Sequence, residues 1–225
     1  MKFKRKSFTL HFKVLFTRMK TTENYLEEIK EIRKIMEQSG RFLSLSGLSG
    51  VLIGIYALIG AYITYRIIYL PPPSVFRKVF AGDVVYQLIT VAMVVLFVSF
   101  ITTLWLTWQK AKKEGKKIWN HGSRQMLVNL AIPFISGGIL ILTFTFREFY
   151  EIISPACLIF YGLALVNAAK YTRQEIFYLG LSEISLGILA ALFPGIGLIF
   201  WALGFGVLHI IYGSVMYFRY DRPSK

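Results

Sequence analysis

The stretch EISLGILAALFPGIGLIFWALGFGVLHIIYGSVMYFR, residues 183–219, decides the fold. Its only charges are the two ends, Glu183 and Arg219, with 35 uncharged residues between them. A bilayer core is crossed by about 20 apolar helical residues. The stretch is too long for one span, and Phe193-Pro194-Gly195 breaks it in the middle. It reads as two antiparallel spans joined by a three-residue turn. Glu183 is left inside the first of them.

The same test, applied outward, finds charge-free runs between Arg41 and Arg66, Asp83 and Lys110, Arg124 and Arg147, and Glu151 and Lys170. Six spans result, at 42–65, 84–108, 127–146, 152–169, 176–193 and 197–218. Composition agrees: 55% of the 225 residues are hydrophobic and 17% are charged, with mean hydropathy +0.55. A soluble domain carries about 25% charge. Disorder, a collagen-like chain and a disulfide scaffold are excluded, and a single cysteine, Cys157, permits no intramolecular disulfide. No linker exceeds 18 residues, so no soluble catalytic domain fits between spans. The expected fold is all-α: a six-helix membrane bundle of three tandem αα-hairpins, a cytoplasmic segment 1–41 with an amphipathic helix, and a tail 219–225.

Lys and Arg fix the expected orientation. Of 26, 22 fall in the N-terminal segment, the second and fourth loops and the tail, and four in the loops on the other side. Both termini are therefore expected in the cytoplasm of a bacterial inner membrane. The net charge of +14 reads as topology plus attraction to an anionic inner leaflet. The basic residues are spread over separate loops, so a nucleic-acid partner is not expected. Lys110-Ala-Lys-Lys-Glu-Gly-Lys-Lys117 with Trp119 reads as an inner-leaflet anchor. Tyr62, Tyr65, Tyr69, Trp105, Trp108 and Trp201 mark span ends at headgroup level. Pro71-Pro72-Pro73 ends the first helix and is expected to run extended.

Residues 22–38 carry an apolar stripe of Tyr25, Leu26, Ile29, Ile32, Ile35 and Met36 at helical spacing, with Thr21 and Thr22 as caps. Glu27 with Lys30, and Glu31 with Lys34, pair on the opposite face. Such a helix lies on the inner leaflet or docks a protein partner or a second copy. Lys13 interrupts the apolar run Phe8–Phe16, which argues against a signal peptide. Translation from Met19 is the expectation.

A shift of 49 residues aligns Arg124-Gln125 with Arg173-Gln174, Ser136 with Ser185, and Gly138-Ile139-Leu140 with Gly187-Ile188-Leu189. Tyr171-Thr172-Arg173 likewise resembles Tyr220-Asp221-Arg222, and a two-residue adjustment brings Tyr161-Gly162 onto Tyr212-Gly213. This reads as a parallel repeat of a helical hairpin. The run from Gly187 to Pro194-Gly195, with Gly204, Gly206 and Gly213 after it, resembles the short hairpin repeat of HdeD-like membrane proteins. That resemblance implies six spans built from hairpins and an association with bacterial acid resistance. The whole chain also resembles uncharacterised bacterial six-span proteins.

Small residues at four-residue spacing let helix backbones approach closely. Ser46, Gly50 and Gly54, with Ala57 and Ala61, form such a row on the first span, and Ala202 with Gly206 on the sixth. They read as packing within the bundle or as a homodimer face. A charge at mid-bilayer must face the bundle, pair or be neutralised, which singles out Glu183. Its natural partner is His209: Glu183 lies 12 residues before Gly195 and His209 14 after it, at nearly equal depth. The pair is either a structural link between two helices or a proton-linked site, and Gln87, Tyr161 and Tyr212 are alternative partners.

Enzymatic readings fare poorly. Gly47-Leu48-Ser49-Gly50 with His209 resembles the serine and histidine of rhomboid proteases, but the serine is on the first span and the other signatures are missing. Membrane haem often needs two intramembrane histidines and only His209 qualifies, since His11 and His121 lie outside the spans. Cys157, His121 and His209 are too scattered to ligate a metal, and no phosphate-binding glycine loop occurs. No cofactor is expected. The expected function is a non-enzymatic structural or regulatory membrane component; the alternative is a proton-linked small transporter or acid-stress protein using Glu183 and His209.

Overall fold

The computed structural model describes residues 46–70, 81–115 (side chains from 84) and 118–222, together with Tyr25, Glu27 and Ile29. The chain divides into two compact units, Met1–Arg41 and Phe42–Lys225. In the first, Tyr25, Glu27 and Ile29 are helical and exposed. The rest of the 22–38 stripe, the Met19 start and Pro71-Pro72-Pro73 lie outside the described residues.

Among the described residues the second unit has six helices: α1 Gly47–Tyr69, α2 Ala81–Lys113, α3 His121–Phe146, α4 Tyr150–Ala168, α5 Gln174–Leu192 and α6 Gly197–Asp221. A single 3-10 turn, Ala169–Tyr171, extends α4. All six helices are long and apolar enough to cross a bilayer. The chain is an all-α, multi-pass bundle of the membrane type.

Each helix matches one expected span, and the differences lie at the ends. α1 begins at Gly47 instead of 42 and continues past Arg66 to Tyr69. Arg66 Nη1 donates to the Tyr62 hydroxyl one turn back at 3.1 Å, so the charge does not end the helix. α3 begins at His121, six residues early. There Asn120 Oδ1 accepts from the Ser123 backbone N–H at 2.8 Å, and Ser123 Oγ accepts from the Asn120 N–H at 2.9 Å. This reciprocal box satisfies the first orphan N–H groups. Counting charge-free residues locates the apolar core but not the capped polar turns beyond it.

The closest backbone approaches fall between hairpins. A Cβ placed on Gly162 of α4 would come within 2.6 Å of the Gly180 carbonyl oxygen of α5, and one on Gly180 within 2.7 Å of the Gly162 oxygen. Between α1 and α6, a Cβ on Gly213 would come within 2.7 Å of the Gly47 oxygen, and one on Gly50 within 2.9 Å of the Gly213 Cα. Gly54 stands against the backbone of Ile210, and Gly206 against the Leu58 side chain. The α5–α6 hairpin therefore sits between the other two, meeting α3–α4 through α4 and α1–α2 through α1. α2 packs on α1 where Gly60 meets Val95, and α3 packs on α4 where Gly137 meets Phe160. These two form the rims. The most apolar 18-residue stretch of α2 has no buried residue.

One end of the bundle gathers most of the described basic residues and is tied by Asp221. Its Oδ2 accepts from the Gly47 N–H at 2.7 Å and from Ser46 Oγ at 3.3 Å. Its Oδ1 accepts from Lys110 Nζ at 2.6 Å. The Ser46 side chain does not cap its own helix, so the end of α6 caps α1 instead. A carboxylate is favoured there because the first N–H groups and the helix dipole are positive.

Gly213→Val would drive a side chain into the α1 backbone, and overpacking of this kind costs about 1–3 kcal/mol or more. The expected result is a lower Tm in detergent. Gly138→Ala, where nothing lies within 4 Å, should leave Tm unchanged. Asp221→Ala should lower Tm through the loss of one helix cap and one ion pair, by roughly 1–3 kcal/mol of stability. Thermal melts of the three variants check all of this.

Candidate functional site

Among the described residues one carboxyl is sealed from solvent inside this apolar bundle. Glu183 on α5 is 0% exposed and His209 on α6 is 2% exposed. Glu183 Oε1 lies 3.4 Å from His209 Nδ1. That nitrogen also lies 3.0 Å from the Gly204 carbonyl oxygen, and the other ring nitrogen, Nε2, lies 2.8 Å from the Tyr161 hydroxyl of α4. A carbonyl only accepts, so Nδ1 carries the hydrogen. With a neutral ring, Nε2 then accepts from Tyr161. The imidazole is fully used, while neither Glu183 oxygen has a hydrogen-bond partner.

Local sequence explains how these groups meet. α6 widens into π-type turns over Ala202–Leu208. Such turns interrupt the regular ladder and are frequent at functional sites. Gly204 lies in this segment directly against the site: a Cβ there would strike Glu183 Oε2 and Leu158 Cδ2. Any larger residue would have to push both side-chain ends aside. Phe205 follows, with its ring 4.9 Å from Tyr161 and 6.0 Å from His209, and Trp201 stacks on Phe205 at 5.0 Å. These rings close the site on the side away from the basic end.

Towards the basic end lies a second polar group. Tyr220 donates its hydroxyl to Glu175 Oε1 at 2.6 Å, and Arg219 Nη1 donates to the same oxygen at 2.8 Å. The Arg173 guanidinium sits 3.5 Å from the centre of the Tyr220 ring. Between the two groups stands Tyr212, which packs with Tyr161 against Leu165, Ile176 and Leu179. Its hydroxyl is buried and makes no hydrogen bond.

The structure brings together Glu183, His209 and Tyr161, with Tyr212 nearby. It does not bring in Gln87, which lines a groove of about 430 Å³ between α1 and α2 with Ile67, Tyr86, Thr90 and Val91. Ser49 is buried and donates to the Ser46 carbonyl at 2.6 Å, while the His209 ring is engaged elsewhere. Gly50, Gly54 and Gly206 pack within the bundle, Ser46 is held by Asp221, and Ala202 opens the wide turn. Sequence reasoning missed Gly204 as the wall of the site and Asp221 as a cap. The doublet Gly204 and Gly206, five and three residues before His209, was the readable signal for the first. Among the described residues, no three His, Cys, Asp or Glu side chains gather as a metal site.

No family model, curated protein or solved structure matches this chain.

Tyr161→Phe leaves Nε2 without its donor, a loss of about 1–3 kcal/mol for a buried group. Gly204→Ala displaces the Glu183 carboxyl and should lower Tm at least as much. Tyr178→Phe, at an exposed position, should change nothing. Melts followed by tryptophan fluorescence rank the three.

Proposed function

We propose that this chain is a non-enzymatic structural or regulatory component of a bacterial cytoplasmic membrane, with its basic end and both termini on the cytoplasmic side. The observation that carries this reading is the way the bundle is locked. Glycine backbones touch at Gly162–Gly180 and Gly213–Gly50, and a carboxylate fastens three helix ends at Asp221. Alternating access needs one half of a bundle to rock against the other. Junctions packed backbone to backbone favour a fixed assembly. The rim helices α2 and α3 offer long apolar faces to lipid or to a partner, and the basic loops suit an anionic leaflet. The helix in 22–38 would supply a docking or self-association element.

A second reading rests on one observation. An intramembrane carboxyl whose oxygens lack hydrogen-bond donors is a functional group by default. A proton-linked acid-stress role, which the resemblance of 176–218 to HdeD-like hairpins also suggests, would use Glu183 and His209.

Proton flux in vesicles holding the purified chain separates the two. The expected result is flux no greater than in empty vesicles, for both the parent chain and Glu183→Gln. Flux that vanishes in Glu183→Gln would replace the first reading with a transporter.

A further inference from the structure

On the three helices that surround Glu183, titratable groups within the spans lie almost wholly towards the basic end. Away from the basic end, residues 184–192 of α5 and 197–208 of α6 contain no titratable side chain, and residues 152–160 of α4 contain only Cys157. Towards the basic end the groups succeed one another. His209 touches Glu183, and Tyr161 touches His209. Tyr212 packs beside Tyr161 on Leu165, Ile176 and Leu179, and Ile176 adjoins Glu175 on α5. Glu175 is partly exposed, and Arg219 beside it is open to solvent. From Glu183 to Glu175 is eight residues of one helix, about 12 Å at 1.5 Å per residue.

We infer that Glu183 is a proton-binding site that exchanges only with the basic, cytoplasmic end, along the file His209, Tyr161, Tyr212 and Glu175. The inference rests on the proton-linked reading of the Glu183–His209 pair and gives that pair a direction. It separates proton binding from proton transport: a site open to one side reports on that side and passes nothing through.

When the Tyr212 hydroxyl, unpaired in this structure, turns to Tyr161, it gives its proton to the Tyr161 oxygen and takes one from the Glu175 side, as the Tyr161 hydroxyl gives its own proton to His209 Nε2. The imidazolium then holds protons on both nitrogens and passes the Nδ1 proton to Glu183 Oε1. The carboxylate becomes a carboxyl group, and the ring is neutral again with its hydrogen on Nε2. Gly204 then loses its donor, so a proton on Glu183 changes what the wide turn of α6 can hold. The groups facing the site are Tyr161 from α4, and His209 and Tyr212 from α6. From α1 the nearest positions on α6 face Gly50 and Gly54, which bring no titratable group.

The buried Tyr212 hydroxyl is the weak point of the file and its test. An unpaired buried hydroxyl costs about 1–3 kcal/mol, so it is unexpected unless it gains a partner part of the time. Removing it leaves the ring packing intact.

Infrared difference spectroscopy of the full-length chain in lipid vesicles reads the Glu183 carboxyl band, assigned by its loss in Glu183→Gln. The rate at which that band shifts after transfer to heavy water reports access. Tyr212→Phe is expected to slow it about tenfold or more, a typical scale for losing a positioned proton donor. Glu175→Gln at the mouth should slow it in the same direction and serves if Tyr212→Phe misfolds. Cys157→Ala, on the opposite side, should leave the rate unchanged. Unchanged rates in Tyr212→Phe and Glu175→Gln, or slowing by Cys157→Ala, would overturn the path while leaving the site. Absence of any Glu183-dependent carboxyl band across the pH range would overturn the proton-binding reading itself.

Discussion

The bundle depends on helix backbones touching at glycine. Lipid gives helices no hydrophobic reason to associate, because a lipid tail is as apolar as a leucine. What remains is dispersion at close range, which falls away steeply once a gap opens. Gly162 against Gly180, and Gly213 against Gly47 and Gly50, remove the side chains that would hold the axes apart. These two junctions clamp the α5–α6 hairpin from both sides. Glu183 and His209 are buried because the helices that carry them are in the middle.

The same clamp explains the cost and the value of the polar cluster. A carboxyl brought into such a setting loses water and must recover the loss from protein groups. Here recovery is incomplete. The imidazole spends one nitrogen on Gly204 and the other on Tyr161, leaving Glu183 only a 3.4 Å approach. Packing alone would have been served as well by an apolar side chain. A structural cross-link would be expected to use its hydrogen bonds fully, and this one does not.

Two layers of polar groups then share one architecture. At the basic end, Asp221 and Glu175 are satisfied by N–H, hydroxyl and cationic donors and fasten helix ends. Deeper in, Glu183 is starved of donors. A tyrosine stands next to a junction glycine in both places: Tyr161, bonded to His209, precedes Gly162, and Tyr212, whose hydroxyl is unpaired, precedes Gly213.

Much of this was legible in the sequence. Uncharged runs of about 20 residues can only be spans in a chain of this composition, so six helices and their order followed from counting. Pro194-Gly195 made α5 and α6 antiparallel neighbours, and equal depth from that turn singled out His209 for Glu183. Helix ends were less legible, because caps such as Asn120 with Ser123 extend a helix past its last apolar residue. Only the tertiary structure decided which hairpin lies in the middle, which glycines meet, and that Asp221 closes α1. Those outcomes depend on the rotation of each helix about its axis. Nearly every face of these helices is apolar, so no hydrophobic stripe in the sequence records that rotation. Contacts between helices, from Gly162 with Gly180 to Gly47 with Gly213, had to choose it.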